Sequence, residues 1–230
     1  MTGNHGTYTP TVLLGQPGYN LLDTHKSARF GALATSDSCV TNIAVDFATS
    51  GNAAFSIEAW VKGGAQTTDA GLVTKGYGNC GDQFNLDCGG GNHGFRFFVR
   101  DASGGARVGS SSVVPNNQWH HLVGVCDQAH GSVRLYVDGI NVAQTTITPT
   151  PGILSSASSI SIGSRVAGFG TAYNNQFVGY IEEVAIYDYA LSPTQVQAHY
   201  QTAANRPPSF PENPFTVAEA NAGQSYSASL

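Results

Sequence analysis

The segment Asn116–Ala143, NNQWHHLVGVCDQAHGSVRLYVDGINVA, contains the parts of two successive β-hairpins. Trp119, His121, Val123 and Val125 alternate with His120, Leu122, Gly124 and Cys126, which gives Gln118–Cys126 the two-residue period of a strand. Asp127–Gly131 is a polar turn closed by glycine. Val133, Leu135 and Val137 then alternate with Arg134 and Tyr136, and Asp138-Gly139 leads into Ile140–Thr146. Asp-Gly suits a type I′ hairpin because both central residues need positive φ.

The same period recurs on both sides of this segment. Phe55, Ile57, Ala59 and Val61 alternate with Ser56, Glu58 and Trp60. Tyr8–Leu22 reads as a leading strand and turn, and Arg29–Val40 and Asn42–Phe47 as short strands. Gly71–Lys75, Gln83–Cys88, Gly94–Arg100 and Ala106–Val114 continue the series, which Ser159–Ile162 and Phe177–Tyr187 complete. Short strands broken by Gly, Asn, Asp and Pro clusters predict an all-β, two-sheet antiparallel sandwich instead of βαβ units. One short C-terminal helix is predicted. Ser192-Pro193-Thr194-Gln195 is a capping box with proline at the first helical position, and Val196, His199 and Tyr200 share one face. The helix is expected at the sandwich edge.

Composition agrees with a sandwich. The 230 residues are 41% hydrophobic but only 11% charged, and 28 glycines and 10 prolines stand against one methionine. A net charge of −5 leaves no electrostatic footprint for nucleic acid. No apolar run is long enough to span a membrane. Met1 is followed by neither a basic nor an apolar leader, and no Asn-x-Ser/Thr site occurs. The expected settings are a mature fragment of an extracellular or cell-surface protein, or a virion surface.

From Asn205 the character changes. RPPSFPENPF reads as an extended proline-rich linker, and TVAEANAGQSYSASL begins a new alternation. Residues 1–204 are therefore expected to form one domain. Residues 205–230 form a linker and arm, read as the start of an immunoglobulin- or cadherin-like module or as a terminal arm packed on a neighbour.

Four cysteines, at 39, 80, 88 and 126, form no C-x-x-C pair, which argues against zinc and thioredoxin-like chemistry. Cys80 and Cys88 enclose a short loop and are the expected disulfide, leaving Cys39 with Cys126. The alternative is four buried free thiols.

The motifs SIEAWV (Ser56–Val61), QWHHLVGVCD (Gln118–Asp127), VRLYVDG (Val133–Gly139) and YIEEVAIYDYALS (Tyr180–Ser192) follow one another in the order found in a known family. Over roughly Pro17–Ala203 the chain resembles the laminin G-like, pentraxin-related branch of the concanavalin A-like lectins. The resemblance implies a jelly roll whose members usually bind glycans or proteins. Many relatives hold calcium at one rim, and Glu182 occupies the position of their acidic ligand, with Asp37 or Asp46 as second ligand. Carboxylate oxygens suit that ion. The alternative is that Glu182 caps a strand end in solvent.

A glycan site needs a polar rim and an exposed aromatic face. Two loops offer both. Ser164–Gln176 carries Arg165, Phe169, Tyr173, Asn174 and Asn175, and Lys75–Gln83 carries Tyr77, Asn79 and Asp82. The same side chains could instead pack back on the sheet edge.

Other chemistry finds less support. Gly76-x-Gly78-x-x-Gly81 matches a dinucleotide fingerprint by letter, but a strand and not a helix follows it. His120 and His121 point to opposite faces of one strand and cannot share a metal. No nucleophile elbow is present. Glu58 and Glu183 could pair as glycosidase acids, but the E-x-D-x-x-E strand of jelly-roll glucanases is absent, as are the alginate-lyase motifs. The sequence therefore points to a non-catalytic recognition domain, carbohydrate-binding or adhesive. Its alternative is a structural domain binding other protein subunits by strand addition, and polysaccharide cleavage is the least supported reading.

Overall fold

In the computed structural model the described residues are 6–20, 24–34, 36–43, 45–48, 52–89, 91–168 and 172–204. In chain order the strands are β1 (Gly6–Tyr8), β2 (Leu13–Pro17), β3 (Lys26–Phe30), β4 (Cys39–Thr41), β5 (Ala54–Gly63), β6 (Ala70–Lys75), β7 (Phe84–Cys88) and β8 (Arg96–Arg100). They continue with β9 (Ala106–Ser110), β10 (Trp119–Asp127), β11 (Ser132–Val137), β12 (Ile140–Thr146), β13 (Ile160–Ile162), β14 (Ser164–Val166), β15 (Tyr173–Gln176) and β16 (Gly179–Tyr187). Helix α1 (Pro193–Ala204) follows.

Two sheets face each other. One has seven strands in the order β12-β11-β10-β5-β16-β3-β2. The other has nine, ordered β1-β4-β13-β6-β7-β8-β9, with β15 added alongside β6 and β14 alongside β15. The β10–β11 pair and the Asp138-Gly139 turn form as the sequence predicts, with both turn residues at positive φ.

Alternation fills the core. Phe55, Ile57, Ala59 and Val61 of β5 point inward to meet Phe84 and Leu86 of β7 and Phe97 and Val99 of β8. The Phe55 ring lies 4.4 Å from Phe47, 5.6 Å from Phe84 and 6.4 Å from Phe97, which ties the two sheets together.

Several local expectations need correction. Tyr8–Leu22 divides between sheets, because the chain turns at Thr9–Val12 after β1 and enters the opposite sheet as β2. Arg29–Val40 is not one strand. Gly31 adopts φ +67 and donates its N–H to Asp37 Oδ2 at 2.8 Å, so the chain leaves β3 and crosses to β4 in the other sheet. Among the described residues of 42–47 there is no strand; the Phe47 N–H donates instead to Gln83 Oε1 at 3.3 Å. The segment Ser164–Gln176, read as a loop, carries β14 and β15. Helix α1 lies on the outer face of the seven-stranded sheet, with Val196 packed among Val123, Val125 and Tyr136.

The expected disulfides are also corrected: Cys39, Cys80, Cys88 and Cys126 are all free thiols. Cys80 is exposed in the turn before β7, whereas Cys88 is buried at the far end of that strand, opposite Ala70. The strand puts roughly 13 Å between its ends, against a Cα–Cα reach of about 7 Å for a disulfide. Cys39 and Cys126 belong to different sheets. Cys39 sits beside Tyr8, and Cys126 Sγ lies 3.8 Å from the Ala53 carbonyl. The proline-rich segment and arm, 205–230, lie outside the described residues.

Candidate functional site

Outward-facing residues of the seven-stranded sheet align in rows across its strands. Trp119 of β10 is opposite Lys62 of β5, Lys62 opposite Tyr180 of β16, and Tyr180 opposite Arg29 of β3. The next row reads His121, Trp60, Glu182, and the one after it Val123, Glu58, Ala185. Lys62, Trp60 and Glu58 thus run down the middle of one face.

Pro17-Gly18-Tyr19 crosses this face at the end of β2. The Tyr19 N–H donates to Glu182 Oε1. Gly18 packs so close over that carboxylate that a Cβ would stand 2.3 Å from Oε2. The Tyr19 ring stacks on Trp60 with centroids 4.2 Å apart and planes 8° from parallel, and Tyr200 of α1 stacks on Trp60 at 6.0 Å. Beside Tyr19 the face opens into a cleft of about 300 Å³ lined by Pro17, Gly18, Tyr19, Lys62, Trp119 and Tyr180. Trp119 and Tyr180, both half-buried, stand 6.3 Å apart at a 55° tilt. The Arg29 guanidinium and Lys62 ammonium lie 5.4 and 6.0 Å from the Tyr180 ring centre.

A second cleft, of about 310 Å³, lies between α1 and the same sheet. Glu58 forms part of its wall. Its Oε1 pairs with His121 Nε2 at 2.6 Å, and its Oε2 meets the Tyr187 hydroxyl at 2.9 Å and His199 Nδ1 at 3.0 Å. Burial pushes the Glu58 carboxyl up, but these partners outweigh it and hold the group below the ordinary glutamate value. Burial and the Glu58 charge push the Tyr187 phenol up. Glu183, exposed on the same cleft, faces His25 Nδ1 at 2.5 Å. Both Glu58 oxygens are engaged by protein groups, and the bond to His199 ties α1 to the sheet.

The two loops proposed from sequence as ligand contacts meet on the other sheet. Tyr77 bridges to Val166, and Gly78 N–H donates to Val166 O at 2.8 Å. Two of the predicted contacts, Asp82 and Arg165, turn inward into a buried ion network. Arg100 lies 3.1 Å from Asp82, and Arg165 lies 3.6 Å from Asp82, 3.5 Å from Asp69 and 3.9 Å from Asp87. Arg96 clamps Asp87 at 2.8 and 2.7 Å and reaches Asp69 at 2.6 Å. The Phe98 ring underlies the network, with the Arg96, Arg100 and Arg165 guanidinium groups 5.1, 5.4 and 5.8 Å from its centre. Burial pushes the Asp87 carboxyl up to about 6 against the pull of Arg96. Asn174 accepts the Ala167 N–H at 3.0 Å, Asn175 lies opposite Arg165, and Tyr173 is half-buried. Asn79 sits at φ +57 in the turn before β7. Phe169 lies outside the described residues.

Among the described residues no three or more His, Cys, Asp or Glu side chains gather where they could hold a metal ion. Glu182 is held by Tyr19. Asp37 is buried and bound by Thr11 and by the Gly31 N–H. Asp46 is exposed and bound by Gln83 and Ser155 at 2.5 Å each.

Sequence reasoning missed the row formed by Trp119, Lys62, Tyr180 and Arg29. Part of its signal was present, since the outward set of β5 includes a tryptophan where a solvated face would carry polar side chains. The cross-strand register that lines up the other three is a tertiary fact.

Comparison with known proteins agrees with this architecture. An 82-residue stretch is 32% identical to C-reactive protein of Xenopus laevis. It covers 35% of this chain and 34% of that protein, so the chain spans about a third of the length of the curated relative it matches. Domain 4 of a GH43 extracellular arabinanase from Geobacillus stearothermophilus, solved with arabinotriose, superposes with a TM-score of 0.61 at 21% identity, covering 86% of this chain and 87% of that one. The binding domain of Paraclostridial Mosquitocidal Protein 1 gives 0.63 at 18%, covering 88% and 48%. The ligand-binding domain of botulinum neurotoxin serotype D, solved with N-acetylneuraminic acid, gives 0.61 at 15%, covering 87% and 46%. This chain therefore spans about half of each toxin chain. No helix among the described residues is long and apolar enough to cross a membrane. A laminin G-type family model matches residues 34–197, and with the two facing sheets and the capped helix in place the chain belongs to the concanavalin A-like lectin/glucanases superfamily.

Proposed function

We propose that this domain is a non-catalytic recognition module that binds carbohydrate on the outer face of its seven-stranded sheet, within an extracellular or surface-exposed protein. One observation carries the reading. Trp119 and Tyr180 flank an open cleft of about 300 Å³ with Lys62 between their strands. A sugar ring offers one apolar face and a rim of hydroxyls, and such a cleft supplies an aromatic wall with polar groups beside it. Two structural neighbours were solved with sugars, arabinotriose in one and N-acetylneuraminic acid in the other, which supports the assignment at the level of fold. The occupied Glu58 carboxylate speaks against turnover at the adjacent cleft.

The test is calorimetric titration of oligosaccharides from a glycan screen against the whole chain. Trp119→Ala is expected to weaken binding at least tenfold, about 1.4 kcal/mol, while leaving the unfolding midpoint within a few degrees of the parent. Unchanged binding in Trp119→Ala would move the site elsewhere. No glycan binding, together with an ordered oligomer in solution, would favour an assembly role.

A further inference from the structure

We infer that the cleft between Trp119 and Tyr180 selects a negatively charged sugar, a pyranose carrying a carboxylate or a sulfate; this rests on the carbohydrate-binding reading above. The chain is acidic, with 15 Asp and Glu against 10 Lys and Arg, so two neighbouring cations without a carboxylate are a local exception to its overall charge. Among the other described arginines, four are paired: Arg96 with Asp87 and Asp69, Arg100 with Asp82, Arg107 with Asp101, and Arg165 with Asp69 and Asp82. Arg134 and Lys26 have no carboxylate partner among the described residues, but neither lies over an aromatic ring. Buried Lys75 donates to the Ser158 carbonyl.

Arg29 and Lys62 differ. Among the described residues neither has a carboxylate partner, and both lie over the same ring, Tyr180, which stands between them in the register. Both are only half-buried. The carboxylate next to this row is Glu182, which is buried and bound by the Tyr19 N–H under Gly18. The row Trp119–Lys62–Tyr180–Arg29 is therefore positive at an open face of a negative protein.

The chemistry follows from the geometry. A cation over an aromatic ring is partly desolvated and held in place. It still has N–H donors to offer to an anion, and such charge-assisted bonds are about twice as strong as neutral ones. Tyr180 is taken up by the two cations, which leaves Trp119 as the wall for the apolar face of the sugar. A neutral sugar would satisfy the wall and leave unanswered Lys62, which lines the cleft, and Arg29, which adds its charge from beyond Tyr180. An acidic one meets both demands.

Matched pairs of probes test this on the whole chain by titration calorimetry: oligogalacturonate against its carboxyl-reduced neutral form, and dextran sulfate oligosaccharides against dextran. The acidic member of at least one pair is expected to bind about tenfold tighter than its neutral match. That preference should shrink as sodium chloride is raised, because exposed charges are screened. It should be lost in Lys62→Met with Arg29→Met, whereas Trp119→Ala weakens acidic and neutral members alike. Preference for the carboxylated pair alone, or for the sulfated pair alone, identifies the anion and supports the inference. Equal binding of acidic and neutral members overturns the charge selection while leaving carbohydrate binding intact. No binding of any probe, with Trp119→Ala without effect, overturns both. Should the double variant fail to fold, the salt dependence of the parent protein and the single Lys62→Gln variant decide the same question.

Discussion

Glu58 sits where β5, β10, β16 and α1 meet, and its three partners come from three of those elements: His121 from β10, Tyr187 from β16 and His199 from α1. His121 is fully buried, so removing its partner strands a polar group away from water. Glu58→Ala is expected to lower unfolding free energy by about 2–3 kcal/mol in urea titration. The pH dependence has a definite sign. The folded carboxyl is held below the ordinary glutamate value of 4.5, so its contribution is complete above that value and is lost as pH falls through the folded value. The stability difference between the parent and Glu58→Gln should therefore be greatest near neutrality and shrink on acidification. A difference that grows with acid would contradict the assigned hydrogen bonds. The sequence marked Glu58 as a candidate acid, and also marked His121, but their meeting across paired strands was not visible in it.

Helix α1 illustrates what local chemistry can and cannot announce. Ser192 Oγ accepts the Gln195 N–H at 3.2 Å, and Gln195 Oε1 in return accepts the Ser192 N–H at 2.9 Å, so the capping box read from the sequence forms. Ser192→Ala is expected to cost about 1 kcal/mol, read as a lower urea midpoint, with Ser192→Asp recovering most of the loss. The start of the helix was legible because the cap is built from residues three apart. Its placement was not. Val196 packs on Val123, Val125 and Tyr136, outward residues of β10 and β11, and no local pattern says which face of which sheet a helix will cover. The β14–β15 pair was missed for a related reason. Those strands have three and four residues, too few for alternation to stand out, and they add to a sheet that non-local pairing creates.

The two sheets approach so closely that some positions admit no side chain. Gly124 of β10 faces Phe97 of β8, and a Cβ there would stand 2.3 Å from the ring. Phe97 is fully buried and part of the aromatic cluster around Phe55, so it has no room to retreat. Gly124→Ala is expected to destabilise the protein by about 1–3 kcal/mol through overpacking, measured by thermal unfolding. A neutral substitution would mean that the sheets can part without loss. In the sequence Gly124 is simply one member of an alternating strand; only the facing sheet supplies the reason for it. Alternation, turn chemistry and the helix cap are written in neighbouring residues, and so the longer strands, the antiparallel sandwich and the family motifs were legible in the sequence, while the short or sheet-crossing segments at 8–47 and 164–176 were not. Disulfide formation, the inward turn of Asp82 and Arg165, and the row Trp119–Lys62–Tyr180–Arg29 depend on which strands become neighbours and in what register. Those choices are made by packing two sheets against each other, where residues more than a hundred positions apart come within a few ångströms.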